Sequence, residues 1–252
     1  MNSEVTKLSP GLVKALQNAK KIVVLTGAGM SAESGVPTFR DAQSGLWAKF
    51  RPEELATPEA FRNNPRVVWD WYTDRRKNIS EVSPHAGHFA LVEMEQHFES
   101  LLLVTQNVDG LHQQAGSRDV IELHGNIMLS ICSETGKRIE SSWIESNPGR
   151  PPASPHDPRG LARPGVVWFG ESLPEDAMNR AAAATHDCDV CISIGTSTLV
   201  QPAASLPFIA LSSGACVIEI NPTPTPLSDM ATFSLQATAA EALAGISAAL
   251  AY

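Results

Sequence analysis

Cysteine is scarce in this chain of 252 residues: there are four, Cys132, Cys188, Cys191 and Cys216. A disulfide framework for a chain of this length is thereby excluded, and a reducing compartment is expected. Positive charge is also short. Nineteen Lys and Arg stand against 27 Asp and Glu, a formal net charge of −8, which argues against sequence-independent nucleic-acid binding because that needs a cationic face. No apolar run approaches the ~20 residues that span a bilayer, and no apolar leader follows Met1. The expectation is a cytoplasmic protein with no nucleic-acid and no membrane partner. What remains is ordinary: 43% hydrophobic and 18% charged residues rule out disordered, collagen-like and coiled-coil classes.

Short β-rich runs alternate with helical patterns, which predicts an α/β fold with a parallel sheet. Strands are expected at Lys21–Thr26, Leu101–Thr105, Val190–Ile194 and Cys216–Ile220, with weaker ones near Val120–Leu123 and Phe233–Leu235. Their nearly continuous apolar character suits strands covered by helices on both faces. Helical patterns fit Gly11–Ala19, Pro65–Asn78, Pro84–Phe98, Pro174–Asp187, Pro202–Ser213 and Ala239–Leu250, several with Pro in the first turn. Two stretches break this rhythm: 34–83, which holds Trp47, Trp69, Trp71 and Tyr72, and the polar, Pro-rich 129–162, which reads as an exposed excursion. The fold expected is a Rossmann-like doubly wound parallel sheet with a smaller inserted module. The large lobe would comprise about 10–33, 84–128 and 163–252, and the small lobe the inserts 34–83 and 129–162.

Each strong strand runs into small or polar residues: Gly27-Ala28-Gly29, Gln106-Asn107-Val108-Asp109, Gly195-Thr196-Ser197 and Asn221-Pro222. In an open parallel sheet ligands bind beyond the carboxyl ends of the strands, so four ends of matching chemistry point to one shared site. Gly27 to Ala32 fits G-x-G-x-x-A, in which glycines bring amide donors against a pyrophosphate; the same pattern also serves a plain strand–helix turn. An ordinary Rossmann unit needs an acidic strand end roughly 20 residues further on, and the next convincing strand here starts near Leu101. The usual NAD(P) oxidoreductase is excluded; a nucleotide ligand is not.

Six blocks, GAGMSAESGVPTFR, TQNVDGLHQQAG, ELHGN, RPGVVWFGE, GTSTLVQPA and EINP, occur in this order between about Lys21 and Thr238. In that order they resemble the sirtuins, NAD-dependent protein-lysine deacylases. The resemblance implies NAD as co-substrate and acylated lysines of proteins as partners, with nicotinamide and O-acyl-ADP-ribose as products. It also implies that Gly27, Ala28, Gly29, Gly195, Thr196 and Ser197 hold the pyrophosphate and Asn221 the adenosine ribose. Ala32, Thr38, Phe39, Arg40 and Trp47 would belong to a loop that closes over the nicotinamide half and excludes water. Gln106, Asn107 and Asp109 would fix the nicotinamide amide and ribose, although Asn and Asp at such a place also cap helices. His124 is the expected general base, since imidazole titrates near neutrality; a single histidine after a strand is also a common core or capping residue. Val167, Trp168, Phe169, Gly170 and Glu171 resemble the strand that pairs with the peptide flanking the lysine, which edge addition would explain; an apolar core strand fits the same run.

Ala56, Tyr72 and Arg75 resemble the sirtuin subgroup that removes succinyl, malonyl or glutaryl groups. Tyr72, one of only two tyrosines, and Arg75 lie three apart on an expected helix and share a face. A phenol and a guanidinium fork together can bind a carboxylate, and the small Ala56 leaves room for a longer acyl chain. A solvated basic turn, given Arg75-Arg76-Lys77, is the alternative. An NAD hydrolase or mono-ADP-ribosyltransferase, and a non-catalytic sensor, are the competing functions; Tyr72 and Arg75 favour deacylation because a hydrolase needs neither. The chain departs from the family in one respect. Most sirtuins hold a structural zinc with two C-x-x-C pairs, whereas here Thr135 stands three after Cys132 and no cysteine follows before Cys188. One thiolate cannot build a Cys₄ site, so no zinc is expected, with packing around Trp143 in its place. Cys188 and Cys191 read as buried thiols at a strand entry.

Overall fold

A computed structural model of the chain describes residues 8–37 and 51–251. Its strands are β1 (Lys21–Thr26), β2 (Ser100–Thr105), β3 (Val120–Glu122), β4 (Gly125–Cys132), β5 (Arg138–Ile139), β6 (Ala162–Val166), β7 (Val190–Ile194), β8 (Cys216–Ile220) and β9 (Phe233–Leu235). Six of them form one sheet in the order β3-β2-β1-β7-β8-β9, every pair parallel. Connections wind outward in both directions from the β1/β7 boundary, so the chain's topological switch lies between those two strands. Ligands of doubly wound sheets bind at that crevice.

Along β1 the side chains alternate between two cores, as the two-residue period requires. Ile22 and Val24 face one cluster with Leu12, Leu16, Leu91, Met94, Leu243 and Ile246. These come from α1 (Pro10–Asn18), α6 (Ala86–Met94) and α11 (Ala239–Leu250). Val23 and Leu25 face the other, with Ala181 of α9 (Glu175–His186) and Leu206 and Ala210 of α10 (Leu206–Ser212). The run expected as one helix from Pro202 divides into a 3-10 turn at Ala203–Ser205 and α10. Helix starts follow a simple local rule. Ser9, Thr57 and Asn64 each accept a backbone N–H in front of a proline, opening α1, α4 (Pro58–Asn63) and α5 (Pro65–Ser80), because proline's fixed φ and missing donor suit the first turn.

The smaller module joins α3 (Pro52–Leu55), α4 and α5 to a three-stranded antiparallel sheet ordered β5-β4-β6. β6 is therefore an edge strand, and it ends at Val166: residues 167–171, expected to continue it, form a loop instead. The stretch 129–162 is mostly exposed, as expected, but it also contributes to a small core. Cys132, Ile139 and Ala162 are buried against Trp69, whereas Trp143 is 37% exposed, so the module's core is built on Trp69 and Trp71 and not on Trp143. The reason is the hairpin of β4 and β5, which turns its alternate residues onto the indole of α5.

Candidate active site

The crevice at the switch point is closed by two loops in backbone contact. After β1, Gly27 donates its N–H to Ile194 O (3.0 Å) and Gly29 to Gly195 O (2.9 Å). A Cβ on Gly29 would lie 2.7 Å from Gly195 Cα, and one on Gly195, whose φ is +59°, would lie 2.5 Å from Gly29 C. Glycine is thus required on both sides, and the close approach leaves the start of α2 (Ala28–Ala32) lined by backbone rather than side chains. A dinucleotide pyrophosphate fits such a cradle because a Cβ would fill it. Asn221, following β8, donates from Nδ2 to Thr196 O (2.7 Å) and so ties a third strand end to this rim. The turn after Asn221 is anchored from below by buried Glu219, which accepts from the hydroxyls of Thr225, Ser228 and Ser234.

The β2 end supplies the polar centre. Asn107 Nδ2 donates to Gly27 O and to Ser31 Oγ, both at 3.0 Å, and Ser31 Oγ donates to Asp109 Oδ2 at 2.8 Å. Asp109 also accepts the Leu111 N–H through Oδ1 (2.9 Å), capping α7 (Leu111–Ala115). One carboxylate thus caps α7 and also binds the hydroxyl inside the glycine turn. Burial pushes the Asp109 carboxyl above its ordinary range, against the hydrogen bonds from Leu111 and Ser31 that lower it.

His124 follows β3 and is half-buried, neither sealed in the interior nor remote from this network. Its Nδ1 lies 2.9 Å from Gln106 O. A carbonyl can only accept, so Nδ1 carries the proton and Nε2 has the free lone pair. Burial lowers the imidazole's pKa and the Gln106 contact only partly opposes it, so the ring is neutral and able to take a proton at pH 7.

The loop after β6 gathers the remaining candidates. Val167 donates its N–H to His124 O and Phe169 to Ala56 O, both at 2.9 Å. Trp168 donates from Nε1 to Tyr72 Oη at 3.0 Å. Ala56, Tyr72 and Trp168 share one buried cluster with Phe61 and Trp71. Arg75, one turn beyond Tyr72 on α5, lies over the Trp71 ring (5.0 Å). Its neighbour Arg76 is committed elsewhere, donating to Ile127 O (2.6 Å) and Leu129 O (2.7 Å) of β4. The basic turn is thus divided into one arginine that braces the sheet and one beside the phenol. Thr38, Phe39, Arg40 and Trp47 lie outside the described residues; Ala28 and Ala32 are exposed on the rim and Ser197 is half-buried.

Sequence reasoning passed over Ser31, although it is the one hydroxyl inside the glycine fingerprint and bonds both Asn107 and Asp109. It also missed a histidine cluster behind the loop. His85 Nε2 donates to Met30 O (2.6 Å), His88 lies 5.0 Å from His112 between ring centroids, and His112 Nε2 is 3.0 Å from Thr26 Oγ1. Spacing alone gave no sign of it, because His112 on α7 is distant in the chain from His88 on α6 and His85 at its cap.

Among the described residues no group of three or more His, Cys, Asp or Glu could hold a metal. Burial raises the Cys132 thiol's pKa, but hydrogen bonds from Ser154 and Thr135 and from the backbone of 134 and 135 outweigh it and leave the thiol below its ordinary range. Cys188 and Cys191 are buried free thiols, Cys188 pushed up to about 11 by burial. No described helix is long and apolar enough to cross a membrane.

Comparison with known proteins agrees with this geometry. The model of the Sir2 family matches residues 27–202. An NAD-dependent protein deacylase of Aquifex aeolicus is 53% identical over 223 residues, 88% of this chain and 92% of the relative. One of Thermus thermophilus is 49% identical over 235 residues, 92% of this chain and 91% of the relative. The crystal structure of a Sir2 homologue–NAD complex superposes with a TM-score of 0.88 at 44% identity, covering 99% of this chain and 96% of that one. A histidine-to-alanine variant of a Sir2 protein with a deacetylated p53 peptide and 3′-O-acetyl ADP-ribose superposes with a TM-score of 0.82 at 31% identity, covering 94% of this chain and 96% of that one. With the family model spanning most of the chain and relatives near half identity over almost its full length, this chain belongs to the Sir2 family.

Proposed function

We propose that this NAD-dependent protein deacylase removes succinyl and malonyl groups from lysine side chains, with acetyl as the weaker substrate. NAD supplies the ribose–nicotinamide bond whose cleavage drives the transfer. The glycine cradle at Gly27, Gly29 and Gly195, with Asn221, holds the dinucleotide. Asn107, fixed by Gly27 O and Ser31, orients the nicotinamide half, and the Asp109 carboxylate stabilises positive charge beside it. His124 takes a proton on Nε2 from a ribose hydroxyl, its Nδ1–H held by Gln106 O. The substrate peptide adds along the edge of β6 and the loop that follows it, so that main-chain bonds carry affinity with little dependence on sequence.

The observation that carries the acyl preference is the grouping of Ala56 and Tyr72 in one cluster, bordered by Arg75 a turn further on the same helix. A small residue, a phenol and a guanidinium there provide space and two donors for a carboxylate. The test is mass spectrometry of succinyl- and acetyl-lysine forms of one peptide incubated with enzyme and NAD. Wild type should give O-succinyl-ADP-ribose faster than the acetyl product. Arg75→Met should abolish desuccinylation and spare most deacetylation. Equal loss of both activities would refute the assignment, and free ADP-ribose without deacylation would identify an NAD hydrolase.

A further inference from the structure

Trp168 is 2% exposed, and a buried indole needs a partner for its N–H. That partner is the Tyr72 phenol oxygen, 3.0 Å away. A phenol has one proton and two lone pairs. With the indole on a lone pair, the proton is directed elsewhere, and no described residue accepts it. The indole is itself clamped. The Arg163 guanidinium lies 3.4 Å from its ring centroid, forms a bidentate pair with Glu171 (2.6 and 2.9 Å) and donates to Val166 O (2.9 Å). Glu171 also accepts the Trp168 backbone N–H (2.8 Å). Exposed ion pairs of this kind contribute little, but the Arg163 side chain is only 8% exposed, and a bidentate, stacked guanidinium fixes geometry as well as charge.

We infer that Trp168 is a positioning residue for acyl selectivity: its indole N–H, clamped through Arg163 and Glu171, sets the Tyr72 hydroxyl as a donor to the terminal carboxylate of the acyl group. The inference rests on the acidic-acyl reading above. A carboxylate only accepts hydrogen bonds, so the pocket must present donors to it, while an acyl group ending in a methyl needs none. Burial holds the phenol protonated, with its pKa pushed up to about 12, so the donor persists at every working pH. The segment 167–171, expected from the sequence to face the peptide, would thereby act on selectivity from behind the pocket.

Steady-state rates on succinyl- and acetyl-lysine forms of one peptide test this in wild type, Trp168→Phe, Tyr72→Phe, the double variant and Arg75→Met. Losing one orienting hydrogen bond should raise KM for the succinyl peptide about five- to tenfold, with kcat little changed. The succinyl-to-acetyl ratio should fall by the same factor. In the Tyr72→Phe background the Trp168→Phe change should add nothing, because both act through one oxygen. A parallel fall for both peptides, or an undiminished effect of Trp168→Phe without the phenol, would overturn the inference. Replacing Trp168 by benzothienylalanine removes only the N–H and gives the same readout if the phenylalanine variant folds poorly. Arg75→Met separates the two claims. If it lowers both activities alike, the acidic-acyl reading falls and this inference with it; if it is selective while Trp168→Phe is not, only the inference falls.

Discussion

Lowering the pH should destabilise this protein through two buried histidines. His88 is fully buried and His112 nearly so. Burial, with the neighbouring histidines adding to it, lowers their pKa values from 6.5 to about 3 and about 4. In the unfolded chain both protonate near 6.5, so below that pH the unfolded state binds more protons and stability declines until the folded values are reached. Each pH unit in this window removes about 1.4 kcal/mol per histidine, which gives roughly 2 kcal/mol each at pH 5, or about 4 kcal/mol together. Against a total of ~5–15 kcal/mol for a typical domain that loss is large. His124, also lowered, adds in the same direction, whereas Asp109, raised by burial, opposes it as pH falls. Urea unfolding between pH 7 and pH 5, followed by circular dichroism, measures the effect. The variant carrying His88→Asn and His112→Gln should start less stable and show a much flatter pH dependence. A wild type that keeps its stability within ~1 kcal/mol over this range, or a variant that declines as steeply, would show that these two imidazoles do not set the acid sensitivity.

Two substitutions at the rim have effects of stated size. Gly29→Ala would place a Cβ 2.7 Å from Gly195 Cα, an overlap with backbone that a side-chain rotation cannot relieve. It should cost about 1–3 kcal/mol and, by calorimetric titration, weaken NAD binding; an unchanged Tm and Kd would show that the two loops need not touch. Ser31→Ala would remove one partner each from Asn107 and Asp109. Leaving such groups unmatched costs about 1–3 kcal/mol, so kcat/KM for NAD, read by nicotinamide release, should fall roughly tenfold or more. Wild-type kinetics in that variant would mean that Ser31 does not hold the pair.

The parallel sheet and the place where its strand ends converge are legible in the amino-acid order. The strands at Lys21–Thr26, Val190–Ile194, Cys216–Ile220 and Phe233–Leu235 have the limits expected of them. Their apolar runs and the glycine or amide residues that end them are local signals, set by burial on both faces and by backbone that must approach closely. Features that depend on partners distant in the chain emerge only in the folded molecule. The β6 strand stops at Val166 because Trp168 turns inward to Tyr72, 96 residues away in sequence. Arg76 and Arg75 look alike in the basic run, and only the position of β4 against α5 separates them. Trp143 reads as a core residue until the hairpin of β4 and β5 places Cys132 and Ile139 on Trp69. His88 and His112 carry no common motif; they are neutral because two helices bury them together. Hydrophobic period and turn chemistry are written in neighbouring residues, whereas desolvation and hydrogen-bond direction belong to groups the fold brings together.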